Sequence, residues 1–230
     1  MKNKMKIMLM LFSFVCVKLN ATPSTQVWNP STDIQPAGTW HLGIDNYFSV
    51  KENAAKPYAF PTDTGITYGF TKNLEAGLDL MYPSEYPLLL NLKYGIAEEE
   101  KRPALAAGVF GIGTKKDVTD LNIIYGVAAK TIEKAGRFSA GFYSGNDKLL
   151  ADENGKEESS GIIVTWDKAF SKKMWASVDY ASGDNIYGSL SFGASYAFSP
   201  AASVIFGYVV YNNEVLNTNN TFTTQLDINF

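Results

Sequence analysis

The stretch Ile66-Thr67-Tyr68-Gly69-Phe70, then Thr71-Lys72-Asn73, then Leu74-Glu75-Ala76-Gly77-Leu78-Asp79-Leu80 alternates apolar with small or polar residues on both sides of a short polar turn. Successive side chains of a strand point to opposite faces, so this spacing predicts a hairpin with one apolar and one polar face. The design recurs around a turn at 168–172 and around Ser199-Pro200-Ala201. Few folds accept such a chain. Its apolar face has to be covered by a second sheet or by lipid.

Extending the period predicts twelve strands, near 39–48, 64–71, 74–82, 87–96, 103–113, 120–130, 137–145, 161–167, 173–181, 186–198, 203–211 and 221–230. Most have the length that a tilted strand needs to cross the hydrocarbon layer, and sheet edges cannot stay open in lipid. The expected fold is therefore all-β: a closed, antiparallel transmembrane barrel of about twelve strands in an up-and-down meander. Short and long connections alternate, as periplasmic turns and external loops do, and an even count puts both ends on the periplasmic side. Loops 49–63 and 146–160 are then external. The rival is a soluble β-sandwich, which also uses alternating strands. Against it stand a second face rich in Gly, Ser, Thr and Asp, and aromatic residues gathered near strand ends.

Residues 1–21 read as a secretory signal peptide: Lys2, Lys4 and Lys6 precede the apolar run Ile7 to Val17, and Ala21 suits cleavage. Cys16 raises a lipoprotein signal as a rival, but Val15 is bulky for the position before a lipidated cysteine. Removal takes away four lysines and no acid, moving the formal charge from −3 to −7, and leaves no cysteine for a disulfide. The lack of a basic excess argues against nucleic acid as a partner. Segment 22–38 is rich in Pro, Ser and Thr. It is either a loose periplasmic leader or a short plug folded into the lumen through Trp28 and Ile34. The barrel proper is placed at 39–230.

The last strand ends Phe222-Thr223-Thr224-Gln225-Leu226-Asp227-Ile228-Asn229-Phe230, with Phe222, Leu226, Ile228 and the terminal Phe230 on one face. This resembles the terminal signal of bacterial outer-membrane β-barrel proteins of the porin-like superfamily. Position 228 departs slightly, carrying Ile where an aromatic is often found. The resemblance implies recognition of the strand by the barrel-assembly machinery and placement in the outer membrane, among its lipid and lipopolysaccharide.

If the apolar face meets lipid, the other face lines the lumen. Its expected members include Asp45, Glu75, Asp79, Asn91, Lys93, Asn122, Asp167, Asp179, Gln225 and Asp227, with glycines at 69, 77, 95, 126, 141 and 193 leaving volume. Arg137 and Lys130 are placed in the same register at the periplasmic end. A barrel of twelve strands is wider than the kind that side chains fill. The leading functional expectation is a passive channel for small polar solutes or ions, cation-preferring because inward acids outnumber Lys93. Bulky inward residues, Trp175, Tyr143 and Tyr187, keep a closed lumen open as a rival. A non-conducting structural or surface-interaction barrel is the second reading, and a lipid-modifying enzyme or protease the third.

Chemistry is sparse. The single histidine, His41, starts the first strand, where closure would set it beside Asp227 and Asn229, with no serine obviously at hand. No metal, nucleotide or cofactor motif occurs, and the carboxylates between Asp147 and Glu158 lack the spacing of a calcium loop. The chain reads as a non-enzyme without cofactor or metal site.

Overall fold

The computed structural model describes residues 24–49, 61–217 and 219–230. The expected signal peptide and most of loop 49–63 lie outside the described residues. Twelve strands follow one another: β1 (Trp40–Phe48), β2 (Thr62–Thr71), β3 (Leu74–Tyr82), β4 (Leu88–Ile96), β5 (Ala104–Gly113), β6 (Ile123–Ile132), β7 (Gly136–Ser144), β8 (Ser160–Ala169), β9 (Met174–Ala181), β10 (Ser189–Ala197), β11 (Ala202–Tyr211) and β12 (Thr221–Asn229). Each pairs antiparallel with its sequence neighbours, and β1 pairs with β12, so the sheet closes into a barrel without edges. The seam runs from His41 opposite Asn229 to Phe48 opposite Phe222. At its end Trp40 and Phe230 exchange backbone hydrogen bonds of 2.7 and 3.0 Å.

Connections at the Trp40 and Phe230 end are short, such as Lys72-Asn73 between β2 and β3. Most of those at the opposite end are longer, and the last of them carries a helical turn, α1 (Glu214–Asn217). The apolar face of the alternation points outward: Leu78, Leu90, Ile124, Phe142, Ile162, Phe192 and Phe206 are all exposed. So much exposed apolar surface is foreign to a soluble monomer and suits a barrel in hydrocarbon. Aromatic rings gather toward both ends. Trp40 lies 4.5 Å from Tyr68 at one, and Phe222 lies 4.7 Å from Tyr208 and 6.0 Å from Phe48 at the other. The ammonium groups of Lys168 and Lys173 lie over the Phe170 and Tyr196 rings near the short turns, 5.6 and 6.0 Å from the ring centroids.

The inside is uneven. Between β5 and β8 it is filled by an apolar cluster built on Ile123, Tyr125, Val127, Tyr143, Ile163 and Tyr187, to which the loop residue Leu150 adds its side chain. Each large side chain so buried contributes about 1.5–3 kcal/mol, so this half of the barrel holds a core of its own. That core corrects the expected register of the sixth strand. Predicted at 120–130 with Asn122 and Gly126 inward, it starts instead at Ile123 and points Ile123, Tyr125, Val127 and Ala129 inward. Asn122 falls before the strand with φ 48°, its N–H donating to Gly111 O at 3.0 Å, and Gly126 faces outward beside the Phe142 ring. The reason is that Ile123-Ile124-Tyr125-Gly126-Val127-Ala128 is apolar on both faces, so polarity cannot choose between them; the aromatic cluster does. The same shift turns Lys130 outward, to an ion pair with Glu98 at 3.0 Å.

Residues 24–35 lie within the barrel, and the exposed residues 36–38 connect them to β1. They enter at the Trp40 end, where Gly38 N–H donates to Gly69 O at 2.8 Å and Ala37 forms a bridge with Gly69. A Cβ at Gly69 would sit 2.3 Å from the carbonyl oxygens of Gln35 and Pro36, so only glycine lets the segment pass.

Candidate functional site: the lumen and the segment inside it

The inward face of β9 holds the segment most firmly. Asp179, 1% exposed, accepts the consecutive backbone N–H groups of Val27, Trp28 and Asn29 on one oxygen, Oδ2, at 2.8, 2.9 and 3.3 Å. Its other oxygen accepts the Ser177 hydroxyl. Three successive amides converging on one carboxylate form a small backbone nest, here with the anion supplied by the wall. Trp28 then lies among Tyr187, stacked at 6.0 Å, and Tyr47 and Tyr211, met edge to face at 5.5 and 5.7 Å. Its indole N–H donates to Tyr187 O at 3.0 Å.

Other inward residues complete the attachment. Arg137 forks onto both oxygens of Asp33 at 2.8 Å and also reaches Asp167 Oδ1 at 2.8 Å, so one guanidinium ties the segment to β7 and β8. Asp167 accepts further bonds from Gln26 at 3.1 Å and from the Trp175 indole at 3.1 Å. Gln225 donates to Val27 O at 2.7 Å. Glu75 accepts the Ser24 hydroxyl at 2.6 Å and the Gln35 N–H at 2.5 Å, and pairs with Lys93 at 3.0 Å. Charge-assisted bonds of this kind are about twice as strong as neutral ones. Ile34 rests against Gly95, and Val27 against Gly193 and Gly207.

The sequence-derived lumen set thus divides. Asp167, Asp179 and Gln225 are inward but engaged beneath the segment, and Glu75 and Lys93 fasten its two ends. Several of the glycines expected to leave water-filled volume make room for the segment instead. What stays open is a cavity of about 410 Å³ between the segment and the wall of β1–β4, lined by Asp45, Asp79, Asn91 and Asp227 among others. Asp63 also lines it, opposite Asp45 across the β1–β2 pair. The predicted strand began at 64 and so left Asp63 out; continuing the alternation back from Gly65 through Thr64 would have found it. Neighbouring acids share this wall. Asp79 accepts the Asn91 side-chain amide, and Asp227, 3% exposed, accepts the Ser203 hydroxyl at 3.3 Å.

His41 lies where closure was expected to bring it, with Nδ1 3.2 Å from Asn229 Oδ1 and Nε2 3.4 Å from Asp227 Oδ1. Nucleophilic catalysis needs the imidazole between a hydroxyl and a carboxylate. Here Asp227 stands between Ser203 and His41, so the histidine is not in contact with the hydroxyl it would have to deprotonate. Outside the strands, Lys156 N–H, with help from Asn154, holds the Asp152 carboxyl below the usual carboxylate range. Asn213 donates to Glu153 and Asp184 at 2.5 and 2.7 Å, tying that loop to its neighbours.

No protein-family model matches the chain, and no curated protein matches it. Among solved structures it is similar to a triple mutant of the Rhodopseudomonas blastica porin, with TM-score 0.42 and 14% identity over 74% of this chain and 55% of that one. It is also similar to the NanC porin (TM-score 0.48, 13% identity, 82% and 98% of the two chains). An outer membrane channel from Pseudomonas putida F1 gives TM-score 0.45 and 10% identity over 86% and 97%. The chain spans about half the length of the Rhodopseudomonas blastica porin. Identity this low says nothing about solute or site.

Proposed function

We propose that the chain is an outer-membrane diffusion channel for small polar solutes, narrowed on one side by its own N-terminal segment and cation-preferring through its acidic wall. The observation that carries this reading is the acid-lined cavity that remains beside the segment, inside a barrel whose apolar face is outside. Asp45, Asp63, Asp79 and Asp227 give that cavity a negative potential, which low-dielectric walls focus and salt screens beyond about 10 Å at 0.1 M. Outer-membrane lipid would meet the Leu78 to Phe206 surface and lipopolysaccharide the longer loops. The barrel-assembly machinery would read Phe222, Leu226, Ile228 and Phe230.

Conductance of the folded protein in a planar bilayer tests the reading. Discrete steps are expected, with a reversal potential in a salt gradient that favours cations in dilute electrolyte. The preference should shrink in the paired substitution Asp45→Asn and Asp79→Asn. A silent bilayer would leave the second reading, a non-conducting barrel acting through its external loops, which the filled half between β5 and β8 favours.

A further inference from the structure

The open cavity has two kinds of wall that meet. One is acidic, with Asp45, Asp63, Asp79 and Asp227 from four different strands; the other is aromatic, with Trp28 meeting Tyr47 edge to face at 5.5 Å. Asp227 is 3% exposed and lines the cavity, with its Oδ1 facing His41 Nε2 at 3.4 Å and its Oδ2 accepting the Ser203 hydroxyl at 3.3 Å. On the same wall, Asp63 has a buried Oδ1 that makes no hydrogen bond. Buried carboxylate oxygens without donors are costly and are relieved by a cation.

The spread of these carboxylates decides what kind of cation. Among the described residues, the three-carboxylate group close enough to share one metal ion is Asp152, Glu153 and Asp184 in the loops, not any three acids of the lumen. A single small ion therefore has no three of the lumen carboxylates within reach at once. A larger cation with diffuse charge could reach several, and an alkylated ammonium also gains from aromatic faces, which bare inorganic ions exploit poorly because they hold their water. A volume of about 410 Å³ falls in the range of small-molecule sites, roughly 300–1,000 Å³.

We infer that the cavity between the N-terminal segment and β1–β4 is a binding site for a compact organic cation of the quaternary ammonium class, with Trp28 and Tyr47 against its alkyl groups and Asp45, Asp63 and Asp227 balancing its charge. The inference rests on the proposed channel only in that the cavity must be reachable from solvent; it does not require that solute cross.

Calorimetric titration of the detergent-folded barrel with choline chloride tests it, beside sodium chloride, ammonium chloride and dimethylbutanol, the uncharged carbon isostere of choline. Choline should bind saturably and about tenfold more tightly than sodium, ammonium or the isostere. Asp45→Asn and Asp63→Asn should each weaken choline several-fold, and Trp28→Leu should remove its advantage over sodium, while Trp28→Phe keeps most of it. Asp147→Asn, in the external loop, should change nothing. Folding of each variant is checked by heat-modifiable gel mobility; if Trp28→Leu fails to fold, the ranking of the four probes on the unaltered protein still decides. Absence of saturable choline binding, equal binding of sodium or of the isostere, or insensitivity to both aspartate substitutions would overturn the site. Conductance without choline binding removes the site and leaves the channel; binding without conductance does the reverse.

Discussion

At the scale of single residues, Asp179 shows how one inward carboxylate serves structure rather than conduction. Its position in the strand alternation is visible in the sequence, but its three amide partners lie about 150 residues away. Replacing it with Asn keeps an acceptor and removes the charge. Since a hydrogen bond to a charged group contributes about 1.5–3 kcal/mol, Asp179→Asn should loosen the segment by an amount of that order. Hydrogen exchange at Val27, Trp28 and Asn29 would report it, and unchanged protection of those amides would contradict the role assigned to the carboxylate. Arg137 offers the same lesson in reverse. It was expected near the periplasmic end as a counter-charge, and the structure shows why it has to be Arg: a planar fork meets both oxygens of Asp33 while a third nitrogen reaches Asp167.

At the scale of elements, several strand boundaries were legible where the two faces differ in polarity, though β10, expected at 186–198, starts only at Ser189 because Ile186 and Tyr187 are loop residues packed into the apolar cluster. β3 is observed at Leu74–Tyr82 and β1 at Trp40–Phe48, within a residue of expectation. β6 failed for the opposite reason, having apolar residues on both faces. Where the outer face is read correctly, its energetics follow. Leu78 and Phe206 lie mid-strand and exposed, so Leu78→Lys or Phe206→Arg should cost about 2–4 kcal/mol in a bilayer. Urea titration of barrels refolded in lipid vesicles measures that loss, and a change below about 0.5 kcal/mol would place those positions away from hydrocarbon. Directly after β12, Phe230 is 63% exposed and adds little packing of its own. Its deletion should lower the amount of heat-modifiable barrel in the membrane while leaving the conductance of each assembled barrel unchanged. Normal assembly without it would refute a signalling role.

At the scale of the whole molecule, the inside of the barrel is half apolar core and half open cavity, and the N-terminal segment divides the two. In the proposed channel, deleting residues 24–38 should widen the open cavity and raise single-channel conductance severalfold. The Asp179 carboxylate would then face the lumen without its amide donors, while Glu75 stays paired with Lys93 and Asp167 with Arg137, so cation preference should persist. Equal conductance with and without the segment would mean that it does not lie in the path of solute.

The alternation of apolar and polar residues determined the strand count, the closure and which face looks outward, because those depend on a local property, the period of two, and on the rule that backbone polar groups in lipid must all be paired. It could not determine what fills the inside. Gly69, Gly95, Gly193 and Gly207 read identically whether they leave room for water or for another piece of chain. Ile123 and Ile124 read identically whichever of them turns in. Only the tertiary structure decides between them, since the choice rests on contacts between residues far apart in sequence: Asp179 with Val27, Tyr187 with Tyr143, Arg137 with Asp33. Their energies exist only once the barrel has closed.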